Sequence, residues 1–339
     1  MRIGLVGLGR IGAFHAATLS SFPSVGSLVV TDYLPERTRE VAGRYAAEGV
    51  DSVDELVAAG VDGVVIAAST NMHSELIRAC VRAGLPTLCE KPVASTGAEG
   101  AALLRWLADY DDVPVMMGFP RRHDAAIAAV KAAADSGELG WLTTVRSTTM
   151  DPAPPPAEYV AVSGGIFHDC AVHDFDTVRW IAGQEAVEVY ATGSNRGAAF
   201  FREYGDVDTS AAVITFADGT LGVVSNTRYN GRGYDVRLEV HGSADSIAAG
   251  IDPKWPIRSA EPGSTFPAGQ PHSFFMDRFG QAFRTELETF LDVVAGKQPS
   301  PCTVADGLEA DWIAEACTRS VAEHRPVTID EVRLREGPQ

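Results

Sequence analysis

The sequence predicts a doubly wound α/β unit over residues 1–120, followed over residues 121–339 by an α+β unit with a large, mostly antiparallel sheet. Three observations predict it. The chain of 339 residues is long enough for two domains. Short apolar runs alternate with helix-periodic stretches up to about residue 120, the signature of a parallel sheet covered on both faces. Beyond about residue 140, strand-like segments follow one another at hairpin spacing.

Residues 2–6 read as a short buried strand, and Gly7-Leu8-Gly9-Arg10-Ile11-Gly12 then opens a helix over about 13–21. A second strand spans 28–32, with helices over 37–47 and 53–59. Gly63 to Ala68 is apolar throughout, as in a strand buried on both faces. A helix over 73–83, a strand over 87–90 ending in Lys91-Pro92, a helix over 96–109 and a strand over 115–118 complete the first unit. In the second unit a helix over 125–134 precedes a strand over 142–149. Asp151-Pro152-Ala153-Pro154-Pro155-Pro156 can be neither helix nor central strand. Gly164-Gly165 leads into a helix reaching Ile181, and strands follow at about 186–193, 209–216, 220–229 and 234–241. Ala217-Asp218-Gly219 is a hairpin turn signal. A Pro/Gly-rich loop over about 252–271 and two helices, about 275–296 and 303–322, close the chain.

Composition narrows the function. A formal net charge of −17 disfavours nucleic acid and anionic membrane surfaces, both of which select clustered Lys and Arg. No apolar run is long enough to span a bilayer, and no secretory leader pattern is present, so a cytoplasmic protein is expected. Five widely spaced cysteines with no C-x-x-C pair argue against structural zinc and a disulfide framework, and no metal is expected.

The glycine pattern at Gly7, Gly9 and Gly12 stands in the context a dinucleotide fingerprint requires. It follows a strand, opens a helix, and has Asp32 at the end of the next strand, 20 residues beyond Gly12. Such glycines let a pyrophosphate approach the free N–H groups of the helix terminus, here at Arg10 and Ile11. Asp32 can accept bonds from a ribose diol and would repel a 2′-phosphate, so NAD is expected rather than NADP. Ser69-Thr70-Asn71-Met72-His73 and Glu90-Lys91-Pro92 follow two further strands, at the carboxyl edge where such sheets bind ligands.

Further on, Gly164 to Trp180 holds a second constellation. At about 100° per residue, Asp169, His173 and Asp176 fall within about 60° of one another on a helix, while His168 and Asp174 point elsewhere. A carboxylate one turn from an imidazole orients a general base and stabilises its charged form. The spread of His168, Asp169, His173 and Asp174 around the axis argues against a shared metal.

With these residues in hand, the chain resembles the glucose-fructose oxidoreductase/inositol dehydrogenase/MocA family over essentially its whole length. Gly7-x-Gly9-x-x-Gly12, Glu90-Lys91-Pro92, Gly118-Phe119-x-Arg121-Arg122, and Gly164-Gly165 followed by Asp169-x3-His173 occur in the family's order. Within it the inositol 2-dehydrogenase group is most similar, through Asp151 to Pro156, His173-Asp174-Phe175-Asp176, Asn226 to Asn230, Tyr234 to Arg237, and Asp277-Arg278-Phe279 with Glu286. Pro120 and His123 depart from the family's G-F-x-R-R-x-D segment.

The resemblance implies a Rossmann domain plus an open-faced sheet domain, and oxidation of a ring hydroxyl of myo- or scyllo-inositol to a ketone. It implies His173 as proton acceptor, Asp169 orienting it, and Lys91 on the substrate oxygen. It adds Asp151, Asp176 and Tyr234 as hydroxyl ligands, and Gly7, Gly9, Arg10, Ile11, Gly12, Asp32, Ser69, Thr70, Asn71, His73, Glu90 and Lys91 around the cofactor. A homodimer or homotetramer is implied as well. A sugar or sugar-acid dehydrogenase, or a dinucleotide-sensing protein without catalysis, are the alternatives.

Overall fold

The computed structural model describes residues 1–264 and 269–335. Residues 265–268 of the expected 252–271 loop and residues 336–339 of the second unit lie outside the described residues. The chain divides into two compact units, residues 1–119 with 284–308, and residues 120–283 with 309–339.

The first unit is built on six parallel strands: β1 (Arg2–Val6), β2 (Ser27–Thr31), β3 (Glu48–Gly49), β4 (Gly63–Ile66), β5 (Thr87–Glu90) and β6 (Val115–Gly118), in the order β3-β2-β1-β4-β5-β6. Strand order reverses at β1, which pairs with β2 on one side and β4 on the other. That crevice is where doubly wound sheets bind dinucleotides. β3 is only two exposed residues long, too short to leave an apolar pattern in the sequence.

One segment departs from the expected division of the chain. Residues 284–308 complete the first unit rather than the second. Leu287, Phe290 and Leu291 of the helix Phe275–Val294 join Ile3, Leu5, Val30, Leu88 and Met116 in one buried cluster. A Cβ on Gly63 would stand 2.6 Å from Val294 Cγ2, so the glycine makes room for this helix. Helical periodicity reports which face is apolar and not which sheet covers it.

The second unit carries a seven-stranded mixed sheet: β7 (Leu142–Met150), β8 (Ala186–Ser194), β9 (Thr209–Phe216), β10 (Leu221–Thr227), β11 (Asp235–Gly242), β12 (Ser246–Ala249) and β13 (Val327–Thr328), in the order β12-β11-β7-β10-β9-β8-β13. Only β7 and β10 pair in parallel. The turn at Ala217-Asp218-Gly219 closes the β9–β10 hairpin, with Gly219 at φ +89°. The helix Val172–Ala182 packs on β7 and β10. On the opposite face Tyr190 and Val213, directly paired, are 47% and 43% exposed. Three short helices, Ala157–Val160, Phe200–Glu203 and Ile329–Arg335, were not legible as periodic patterns.

Candidate active site

At the glycine turn each glycine has a different reason. Gly7 adopts φ +86°, and a Cβ there would stand 2.6 Å from the backbone of Ala67. Gly12 lets the helix Arg10–Ser20 sit against the turn, since its Cβ would stand 1.9 Å from the Gly7 carbonyl oxygen. Gly9 is different: a Cβ would meet nothing nearer than Arg37 Nη1 at 3.8 Å, and the residue is extended at φ −65°. Nothing within the chain demands glycine there, so the space above it suits a pyrophosphate approaching the helix terminus at Arg10 and Ile11. Asp32 is held ready at the end of β2. Its Oδ2 accepts the Leu8 N–H at 2.5 Å and its Oδ1 accepts the Leu34 N–H at 2.9 Å. These features fit NAD.

Two residues expected at the cofactor are engaged elsewhere. His73 is buried, with Nδ1 at 2.7 Å from the Pro92 carbonyl oxygen and Nε2 at 3.2 Å from that of Ala68. His73 therefore braces the strand end instead of lining the cleft. The Glu90 carboxylate lies 2.7 Å from His15 Nε2, so it too points into the unit. Lys91 follows β5 half-buried, joined to Pro92 by a cis peptide. Ser69 and Asn71 stand exposed beyond the end of β4, with Thr70 half-buried between them.

In the second unit the expected α-helix begins as a π-helix, Phe167–Ala171, and becomes α-helical over Val172–Ala182. The 100° spacing therefore does not carry from Asp169 to His173. π-turns inside helices recur at functional sites because they re-aim side chains. Asp169 and His173 are both half-buried. Asp169 Oδ1 accepts the Tyr159 hydroxyl at 2.8 Å, and its Oδ2 accepts Arg228 Nη2 at 2.7 Å.

Asp176 departs from its expected place beside them. It is fully buried, and Arg122 grips it from Nε and Nη2, with the shortest contact at 2.5 Å. Its carboxylate is committed to a guanidinium, which removes it from the hydroxyl-binding face. Asp151 is likewise engaged, its Oδ2 accepting Arg228 Nη1 at 2.8 Å. Burial pushes the Asp151 carboxyl above its ordinary value, against the pull of Arg228. Tyr234 is buried with its ring edge-on to Phe279, and burial holds its phenol well above the ordinary value despite Arg121, so it stays a neutral donor. Burial, with Arg122 beside it, pushes His123 down to about 4, so the imidazole in this divergent position is neutral.

Several residues that organise the site had no role in the sequence reading. Asp174 is fully buried and accepts bonds from Arg121 (2.7 Å), Ser147 (2.5 Å), Thr149 (2.9 Å) and Asn226 (2.8 Å). This network pins the helix to β7 and β10. Arg228 joins Asp151 to Asp169, and Tyr159 supports Asp169. The available signal was their place in the motifs Gly118-Phe119-x-Arg121-Arg122 and Asn226 to Asn230, which carries no partner. Which carboxylate each arginine meets depends on how the short turn Pro120–His123 and the end of β10 pack against the helix, which the sequence does not display.

Comparison with known proteins agrees with this architecture. Residues 1–119 match the oxidoreductase family with an NAD-binding Rossmann fold, and residues 127–248 match the GFO/IDH/MocA C-terminal domain. An inositol 2-dehydrogenase of Rhizobium meliloti is 37% identical over 331 residues, covering 97% of this chain and 99% of that protein. The scyllo-inositol 2-dehydrogenase (NAD(+)) of Bacillus subtilis is 33% identical over 342 residues, covering 99% and 98%. The crystal structure of a Lactobacillus casei scyllo-inositol dehydrogenase with bound NAD(H) and scyllo-inositol has a TM-score of 0.88 at 28% identity, covering 97% of this chain and 99% of that one. With both units matched and relatives aligned nearly end to end, the chain belongs to the glucose-fructose oxidoreductase/inositol dehydrogenase/MocA family of NAD-binding oxidoreductases.

Proposed function

We propose that the protein is an NAD-dependent inositol 2-dehydrogenase, oxidising one secondary hydroxyl of myo- or scyllo-inositol to a ketone. The segment Gly164 to Asp176, with its clamped Asp169 and following His173, carries the reading, in a chain that aligns end to end with inositol 2-dehydrogenases. NAD, when bound, accepts the hydrogen and electron pair that leave the carbinol carbon. Gly7, Gly9 and Gly12 seat the pyrophosphate, and Asp32 takes the ribose diol. His173 removes the hydroxyl proton at a ring nitrogen, general-base work for which an imidazole is suited. Asp169 orients the imidazole and stabilises its cationic form. The Lys91 ammonium donates to the substrate oxygen as alkoxide character develops. Asp151 and Asp176 are not assigned to substrate, because arginines hold both.

The open face around Tyr190 and Val213 supports assembly into a homodimer or homotetramer, since an apolar sheet face is covered in stable folds. No helix among the described residues is long and apolar enough to cross a membrane. The five cysteines are all free and buried, which supports a reducing, cytoplasmic setting.

A panel of inositol isomers and aldoses, followed by NADH absorbance, tests the assignment. Turnover of an inositol is expected, and Lys91→Ala and His173→Ala should lower kcat by about a hundredfold or more with NAD still bound. Turnover of an aldose and of no inositol would move the protein to a sugar dehydrogenase, and full turnover by His173→Ala would remove the proposed base.

A further inference from the structure

Arg228 lies at the end of β10 with its side chain almost wholly buried. Its two branches go to carboxylates on different segments. Nη1 donates to Asp151 in the loop after β7, at 2.8 Å, and Nη2 donates to Asp169 in the π-helical turn, at 2.7 Å. Asp151 is itself anchored by backbone, donating its N–H to the Thr227 carbonyl and accepting the Asn230 N–H at its own carbonyl. The opposite oxygen of Asp169 is occupied by Tyr159. The loop after β7 and the π-helical turn are thus joined through one planar fork from a strand remote in sequence, and Asp169 is gripped at both oxygens. The other ionisable groups that sense Arg228 are the buried Cys170 thiol and Asp206, whose Oδ1 accepts the Ile166 and Val207 N–H groups.

We propose that Arg228 is a positioning residue for the reaction, fixing the carboxylate of Asp169 toward His173 with Asp151 as its counter-anchor. The inference rests on His173 being the proton acceptor. It makes Asp151 an anchor rather than a hydroxyl ligand. The guanidinium suits this place because its donors are rigid and forked, whereas a lysine ammonium is a single point of charge that cannot serve both carboxylates in the same geometry. Groups that orient a reacting residue from behind are worth about 10–100-fold when removed. The charge also matters. With Arg228 gone, the uncompensated carboxylates would stabilise an imidazolium more strongly, so the base would titrate at higher pH.

Steady-state kinetics of the full-length protein with NAD and its reacting inositol, over pH 6–10 (an approximate working range around the imidazole and ammonium values), test this. The variants are Arg228→Ala, Arg228→Lys, Asp151→Asn and His173→Ala, each checked for folding by thermal melting. Arg228→Ala should lose about 10–100-fold in kcat with KM for inositol little changed, and the acid limb of kcat/KM should move to higher pH. Added guanidinium ion should restore part of kcat and return the limb, which a merely structural arginine would not show. Arg228→Lys should remain impaired. Asp151→Asn should lower kcat with KM nearly unchanged, whereas a hydroxyl ligand would raise KM with kcat kept. If Arg228→Ala does not fold, Arg228→Lys and Asp151→Asn decide. Wild-type kcat and pH profile in the arginine variants, with His173→Ala inactive, would overturn the positioning role and leave the proposed base standing. Wild-type turnover by His173→Ala would overturn the base itself.

Discussion

Glu286 is fully buried on the helix Phe275–Val294, and neither of its carboxyl oxygens has a hydrogen-bond partner among the described residues. Burial first, and then the charge of Glu90, push its pKa well above the ordinary value, so folding favours its neutral form. The folded state therefore binds this proton more tightly than the unfolded chain does. Its contribution to stability is fully present below about pH 4.3, the unfolded value, and is lost as pH rises through the raised folded value. Glu286→Gln keeps the shape and cannot ionise. It should match the wild-type melting temperature near pH 4 and exceed it increasingly toward pH 9. Parallel melting curves across that range would show that Glu286 carries no such burden. The sequence marked Glu286 only as part of a closing helix. Its burial follows from the helix returning to the first unit's core, which no local pattern records.

Among the elements, the glycine turn and the helix beyond Gly164-Gly165 were both legible, but to different depths. The turn was legible in detail because its chemistry is local: a strand, a positive φ, a helix terminus and an acid at fixed offsets. It also separates structure from binding. Gly12→Ala should fail to fold or melt far lower, because its Cβ would collide with the Gly7 carbonyl at 1.9 Å. Gly9→Ala should keep the wild-type melting temperature without cofactor and weaken NAD binding at least about tenfold by calorimetry, since only a ligand needs that space. The second helix was legible as an element and misread in its faces. The sequence cannot announce a π-turn, which changes the angle of Asp169 to the α-helical His173 and Asp176, nor the buried arginines that claim Asp174 and Asp176. In the fold Asp174 and Asp176 are the buried anchors of that helix, on Arg121 and Arg122. Asp174→Ala strands a buried guanidinium and should cost about 3–5 kcal/mol in urea unfolding. A change under about 1 kcal/mol would place Asp174 among weakly coupled surface pairs.

For the molecule as a whole, the open face of the seven-stranded sheet is the feature with the widest reach. Tyr190 on β8 and Val213 on β9 face each other across the ladder and stand exposed, with Val223 next in the row on β10. Under the proposed homo-oligomer, a Tyr190→Glu/Val213→Glu pair puts like charges opposite one another there and should give monomers in sedimentation velocity, with the fold retained by circular dichroism. An unchanged sedimentation coefficient would overturn this face as an interface. The sequence by itself determined the two-unit architecture, the dinucleotide turn with Asp32, the strand end carrying Lys91, and the segment holding Asp169 and His173. Each is written in periodicity, glycine spacing or residues close along the chain. Only the tertiary structure decided that residues 284–308 complete the first unit, that His73 and Glu90 turn inward, and that Arg121, Arg122 and Arg228 divide four aspartates among them. The physical reason is that buried charges must be paired, and the partner is whatever the packing of helix, turn and strand ends brings within reach. That packing joins segments tens of residues apart, and no local reading of the chain contains it.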